Sequence, residues 1–397
     1  MDVFDQLKLE EQKKKLNTDG WIESFSFLGF GVGVNSLIGF IVVAVIFVGT
    51  FSFSFGNCNF NLQGVGVASS GSTIASNLQS GEVVYIDAFL NCLVVMANGN
   101  QIASISMNNT ALGAALSPDG KTAYVIASNL NSPSFLSGDI GVLDVVSLGL
   151  KSVIASIPID GAPTAVVISP DGQYAYVAYD FISNTGSISE VDLTSNKVIN
   201  TFSNSGAANL AISSDGSLLY VLDNGDGILG MNASPAYGTL SVFSTKTFQT
   251  VASVSVGRDP QYMSISPDGS KLAVGNYYDS TITMIDLPTY SSNTIKVQSG
   301  VTALAFLPNG NRLIVSSGSN SSLEPLPGSH KHPDDLSIVD VSSDNVVKQI
   351  TAPNLAVGVT VLGNYCYFIY GYQAGLGILD LSTYKLTGSG PMNLGQN

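Results

Sequence analysis

Charge is what this chain of 397 residues has least of: Asp, Glu, Lys and Arg make up only 11%, against about 25% in ordinary soluble domains. Histidine occurs twice, tryptophan once and cysteine three times. No Lys/Arg stripe follows the N-terminal segment, and the formal net charge is −14. A phosphate-binding surface needs clustered Lys and Arg, so nucleic-acid binding is excluded. Signatures of common chemistry are missing too: there is no G-x-S-x-G elbow, no Walker loop, no Cys-x-x-Cys-His haem site and no Cys–His motif. The odd number of cysteines leaves at least one without an intrachain partner.

The few charges are unevenly placed. Ten of the 44 fall in the first 23 residues, and none lies between Ser24 and Gly81. Within that gap, residues 27–55 read FLGFGVGVNSLIGFIVVAVIFVGTFSFSF, longer than the roughly 20 apolar residues that cross a bilayer. Lys8, Lys13, Lys14 and Lys15 precede it, and no Lys or Arg follows until Lys121. The positive-inside rule then predicts a cytoplasmic segment 1–26, a transmembrane signal anchor 27–55, a linker 56–63 and an extracytoplasmic domain from residue 64 to 397. A cleaved signal peptide is the competing reading. Outside the membrane a Cys58–Cys92 disulfide is permitted, and three free buried thiols are the alternative. Asn108, Asn232 and Asn320 head N-x-Ser/Thr sequons, acceptors for glycans on an exported domain.

What the chain has in abundance is repetition. SPDG stands at residues 117, 169 and 266, SSDG at 213 and LPNG at 307. Around each turn lies a unit of four short β-branched runs, as in APTAVVISPDGQYAYVAYDFISNTGSISEVDLTSNKVINTFS from Ala162 to Ser203. Four strands in about 40–50 residues form one propeller blade. A degenerate copy from Val361 and an earlier unit ending at Met107 bring the total to seven blades. Two series of Asp residues fit this frame. Asp119, Asp171, Asp215 and Asp268 sit in the first turn of each unit, where Asp bonds its own backbone and Gly supplies positive φ. Asp144, Asp192, Asp286, Asp340 and Asp380 are expected to cap the turn after the third strand.

The repeats SPDGQYAYVAY…SISEVDLTSNKVINTF and SPDGSKLAVGNYYDSTITMIDL resemble the YVTN family of propeller repeats. The YVTN string is kept loosely, as YVIA at Tyr124, YVAY at Tyr176, YVLD at Tyr220 and AVGN at Ala273. The resemblance implies an all-β, seven-bladed β-propeller of the lactonase-like superfamily. It also implies secreted or surface proteins, an architecture shared by lactonase-like enzymes and dehydrogenase subunits, and no catalytic residue matches closely enough to be carried over.

Three long loops all join a second strand to a third: residues 127–139, 223–238 and 316–335, in blades 2, 4 and 6. They share a face with the fourth-to-first loops and mark it as the working surface. Candidate binding residues on it are Asp139, Asp223, Asp226, Tyr237, Arg258, Asp259, Glu324, His330 and His332. The string SHKHPDD, Ser329 to Asp335, holds both histidines beside Asp334, so His330, His332 and Asp334 are the candidate ligands of a divalent metal. DNGDG from Asp223 resembles half a calcium loop, but the bidentate Glu of the full loop is replaced by Ser234. No other cofactor is expected.

Three functions fit: a surface-displayed binding, scaffold or accessory subunit with protein partners in the envelope or a membrane complex; a lactonase-like or metal-dependent enzyme on the same face; and a purely structural envelope component. Few charges also suit an acidic medium.

Overall fold

The computed structural model describes residues 50–55, 58–63, 74–77, 80–87, 90–128, 141–180, 186–204, 207–225, 236–318, 335–352, 356–370 and 376–387. Residues 1–49, which carry most of the expected signal anchor, lie outside them. No helix among the described residues is long and apolar enough to cross a membrane. The last six residues assigned to the anchor, Thr50–Phe55, form a strand that pairs antiparallel with Cys58–Gln63.

Seven four-stranded antiparallel sheets follow, each built from four consecutive strands. They span residues 74–106, 110–159, 162–204, 207–258, 260–296, 301–351 and 356–387, and we number them blades 1 to 7. First strands of adjacent blades touch in order around a ring, and the first strand of blade 7, Ala356–Leu362, packs on that of blade 1, Ile74–Asn77. Closure uses packing, with no strand exchanged between the two terminal blades. Ser76 Oγ and Thr360 Oγ1, 2.8 Å apart, fasten that seam.

The sequence pattern follows from position in the blade. Second and third strands are covered on both faces by neighbouring blades, so they read as near-continuous apolar runs. Leu218–Asp223 and Asp335–Asp340 are buried over five residues each. Fourth strands form the outer rim and alternate: Ser152–Ile159 turns Ile157 and Ile159 inward and leaves Ile154 in solvent. Seven apolar clusters fill the seven blade interfaces. One joins Ile74, Tyr85 and Val94 of blade 1 to Tyr367, Ile369 and Leu376 of blade 7.

The SPDG turn performs two tasks. Ser169 Oγ donates to Asp171 Oδ1 at 2.5 Å and accepts from Tyr174 N at 2.9 Å, while Asp171 Oδ1 accepts from Gln173 N at 3.0 Å. Gly172, at φ 72°, closes the turn. The same net recurs at Ser117, Ser213 and Ser266. The turns also touch one another around the ring, for a Cβ on Gly216 would stand 3.3 Å from Pro170 Cδ, and one on Gly172 3.4 Å from Pro118 Cδ.

Of the second Asp series, Asp192, Asp340 and Asp380 accept backbone N–H groups of the turn after the third strand, and Asp286 accepts the Thr289 hydroxyl there. Asp144 does not belong to the series. Thr122 pairs with Ser147, as Tyr174 pairs with Asp192, so Asp144 lies three residues deeper and matches Ser189. It is fully buried and accepts a hydrogen bond from Ser156 Oγ. Burial pushes its carboxyl above the ordinary range, outweighing Ser156 and Asn109, which favour the charged form.

Candidate functional site

The long loops do connect second to third strands, leaving after Ser128, Asp223 and Ser317 and re-entering at Gly141, Tyr237 and Asp335. Asp139, Asp226, Glu324, His330, His332 and Asp334 fall outside the described residues, as do Asn232 and Asn320. Among the described residues no three His, Cys, Asp or Glu side chains stand together as a metal site. Asn108 is exposed in the connection between blades 1 and 2, on the same face.

On that face one cluster is well defined. Tyr237 opens the third strand of blade 4, Tyr237–Ser244, and Arg258 closes the fourth, Thr250–Arg258; the two residues pair across the ladder. The chain then turns into blade 5 through Asp259, at φ 50°, and Pro260. In blade 5 the tight turn between second and third strands brings Tyr278 and Asp279 to the same spot. Arg258 Nε donates to Asp279 Oδ1 at 2.7 Å, and Arg258 N donates to Asp279 Oδ2 at 2.8 Å. One carboxylate thus fixes both main chain and side chain of Arg258. The guanidinium carbon lies 4.6 Å from the Tyr278 ring centroid and 5.8 Å from that of Tyr237, within cation–π range of both. The bond that its guanidinium donates to Asp279 favours the charged form of Arg258.

The rims of these rings face solvent. Tyr237 is 69% exposed and Tyr278 36%. Below them Tyr277 N donates to Asp259 O at 2.9 Å, and the Asp259 carboxylate accepts from Gln261. Asp259 therefore shapes the junction between blades 4 and 5. Asp223 accepts from Gly225 N at 2.7 Å, which makes it a turn cap at the root of its loop. The structure joins two sequence candidates, Tyr237 and Arg258, and adds Tyr278 and Asp279, whose only sequence signal was the short NYYDS turn of blade 5.

Cys92 and Cys366 are free and buried. The Cys92 thiol accepts from Ser104 Oγ at 3.1 Å. Cys58 lies in the hairpin strand, and its side chain is outside the described residues.

Residues 184–312 match the family described as lactonase, 7-bladed beta-propeller. That stretch begins just ahead of the third strand of blade 3 and ends at the start of the second strand of blade 6, so it contains the whole Arg258 cluster. No curated protein matches. Among solved structures, "Kuenenia stuttgartiensis Hydrazine Synthase" is similar at 18% identity and a TM-score of 0.52, over 70% of this chain and 83% of that one. "Crystal Structure of Mitotic Checkpoint Complex" is similar at 15% identity and a TM-score of 0.57, over 76% and 84%. At these identities the likeness is one of fold. The chain is thus a closed seven-bladed β-propeller, and the stretch from blade 3 to blade 6 is similar to the lactonase-like seven-bladed family.

Proposed function

We propose that this propeller is an extracytoplasmic binding subunit, held at the membrane by the apolar segment that begins at residue 27, that docks a protein partner through its long-loop face. The observation that carries the reading is the Arg258 platform. A guanidinium locked by Asp279 between two tyrosines, one of them 69% exposed, is a rigid contact already organised before binding. Tyr and Arg dominate the energetics of protein interfaces, because they combine large apolar area with directional bonds and lose little entropy when pre-positioned. The charge-poor surface around it leaves shape and aromatic contact to set specificity.

The test is purification of the full chain from source membranes in mild detergent, with mass spectrometry of co-migrating proteins. A stoichiometric partner retained by the wild type and lost by both Tyr237→Ala and Arg258→Ala supports the reading. A propeller that migrates alone, or a partner indifferent to both substitutions, overturns it. A second reading, a lactonase-like hydrolase, draws on the family match across blades 3 to 6. A lactone-hydrolysis screen with and without added divalent metal decides it.

A further inference from the structure

The opposite face, formed by the first-to-second and third-to-fourth turns, holds a cleft of about 500 Å³ between blades 3 and 4. One residue of its wall is a break in the repeat. In every blade the third residue of the second strand pairs with a third-strand residue that faces the next blade. Those partners are Val95, Val145, Val242, Met284, Ile338 and Ile378 in six blades. All six pack in the cores between blades. In blade 3 the residue is Glu190, paired with Tyr176. A position that demands an apolar plug six times over carries a carboxyl here, at the wall of an open cleft. Local rules are broken in this way where function requires it.

The chemistry of the cleft is one-sided. Tyr176 donates its hydroxyl to Glu190 Oε1 at 3.2 Å. Tyr174 adds a second ring, and Asp171 and Asp215 line the mouth with Lys246 as the single cation. Among the described residues neither Asp171, Asp215 nor Glu190 has an ion-pair partner. Burial pushes the Glu190 carboxyl above its ordinary range, which the bonds from Tyr176 and Asn200 oppose. A bound cation would supply the countercharge that the protein does not.

We propose that this cleft binds an organic cation, an ammonium or guanidinium group, with Glu190 as its carboxylate partner and Tyr174 and Tyr176 as its aromatic walls. A positive charge gains from both elements, by ion pairing with the carboxylate and by cation–π contact with the rings. The site is independent of the Arg258 face.

Calorimetric titration of the full chain with cadaverine, and with glycerol as a neutral probe of similar size, tests this. The wild type should bind cadaverine saturably and ignore glycerol. Glu190→Val places in blade 3 the residue that blades 1, 2 and 4 already use, so it should fold with an unchanged or higher melting midpoint. It should weaken cadaverine binding by at least about tenfold, the loss of one charge-assisted contact. Val347→Ala, exposed on the outer strand of blade 6, should bind as wild type does. Absence of saturable cadaverine binding, or binding equal in wild type and a folded Glu190→Val, overturns the proposal.

Discussion

Replacing Asp144 with serine should stabilise the protein at neutral pH and flatten the dependence of its stability on pH. Asp144 is fully buried in blade 2, and only one of its carboxylate oxygens has a hydrogen-bond partner. Blades 3, 4 and 6 place Ser189, Ser241 and Ser337 at the same register position, so serine is compatible with the backbone. Burial raises the folded carboxyl above its ordinary value of 3.8. The folded state then holds its proton at a pH where the unfolded chain has released it. Stability is therefore highest below the ordinary value and is lost as pH rises through the raised one, by up to about 1.4 kcal/mol for each unit between them. An unpaired buried polar oxygen carries a comparable cost of about 1–3 kcal/mol. Asp144→Ser removes both, so at pH 7 the variant should gain about 1–3 kcal/mol, or roughly 2 °C of melting temperature per kcal/mol in a domain this large. The assay is thermal unfolding of both proteins from pH 4 to pH 8. The variant's advantage should be smallest at acid pH and should grow toward neutral pH. Parallel curves, or a variant less stable at pH 7, would refute the reasoning.

Four further outcomes follow from the geometry. Ser169→Ala removes the hydroxyl that both donates to Asp171 and accepts from Tyr174 N, and should cost about 1–2 kcal/mol in denaturant unfolding. The Asp215 and Asp268 carboxyls are held down at about 2 by their Ser bonds, so the turns should lose their carboxylate bonds only as pH falls toward that value, a transition visible by NMR of the Gly216 and Gly269 amides. Gly377→Ala would drive its methyl into the fully buried ring of Phe368 and should destabilise by about 1–3 kcal/mol or more, measured as a drop in melting midpoint. Burial also raises the Cys366 thiol steeply, and that of Cys92 less so; both should resist iodoacetamide in the native state and react after unfolding.

Blade count, blade order and the turn chemistry were legible in the linear sequence, because each rests on local signals. A Gly at positive φ and an Asp two residues after a Ser close the same turn wherever they occur, and an apolar run of six marks a strand covered on both sides. Contacts between distant residues were not legible. VLDV at Asp144 reads like EVDL at Asp192, and only the pairing of Thr122 with Ser147 shows that the first carboxyl is buried in mid-strand. Asp279 meets Arg258 across 21 residues because two adjacent blades present their loops at one point. Glu190, inside SISEVDL, has the alternation of a half-exposed strand, and its place among six apolar equivalents emerges only from the register. The sequence determines the repeat, because turn and strand propensities act over a few residues. The tertiary structure decides the sites, because ring closure alone fixes which side chains of neighbouring blades face one another.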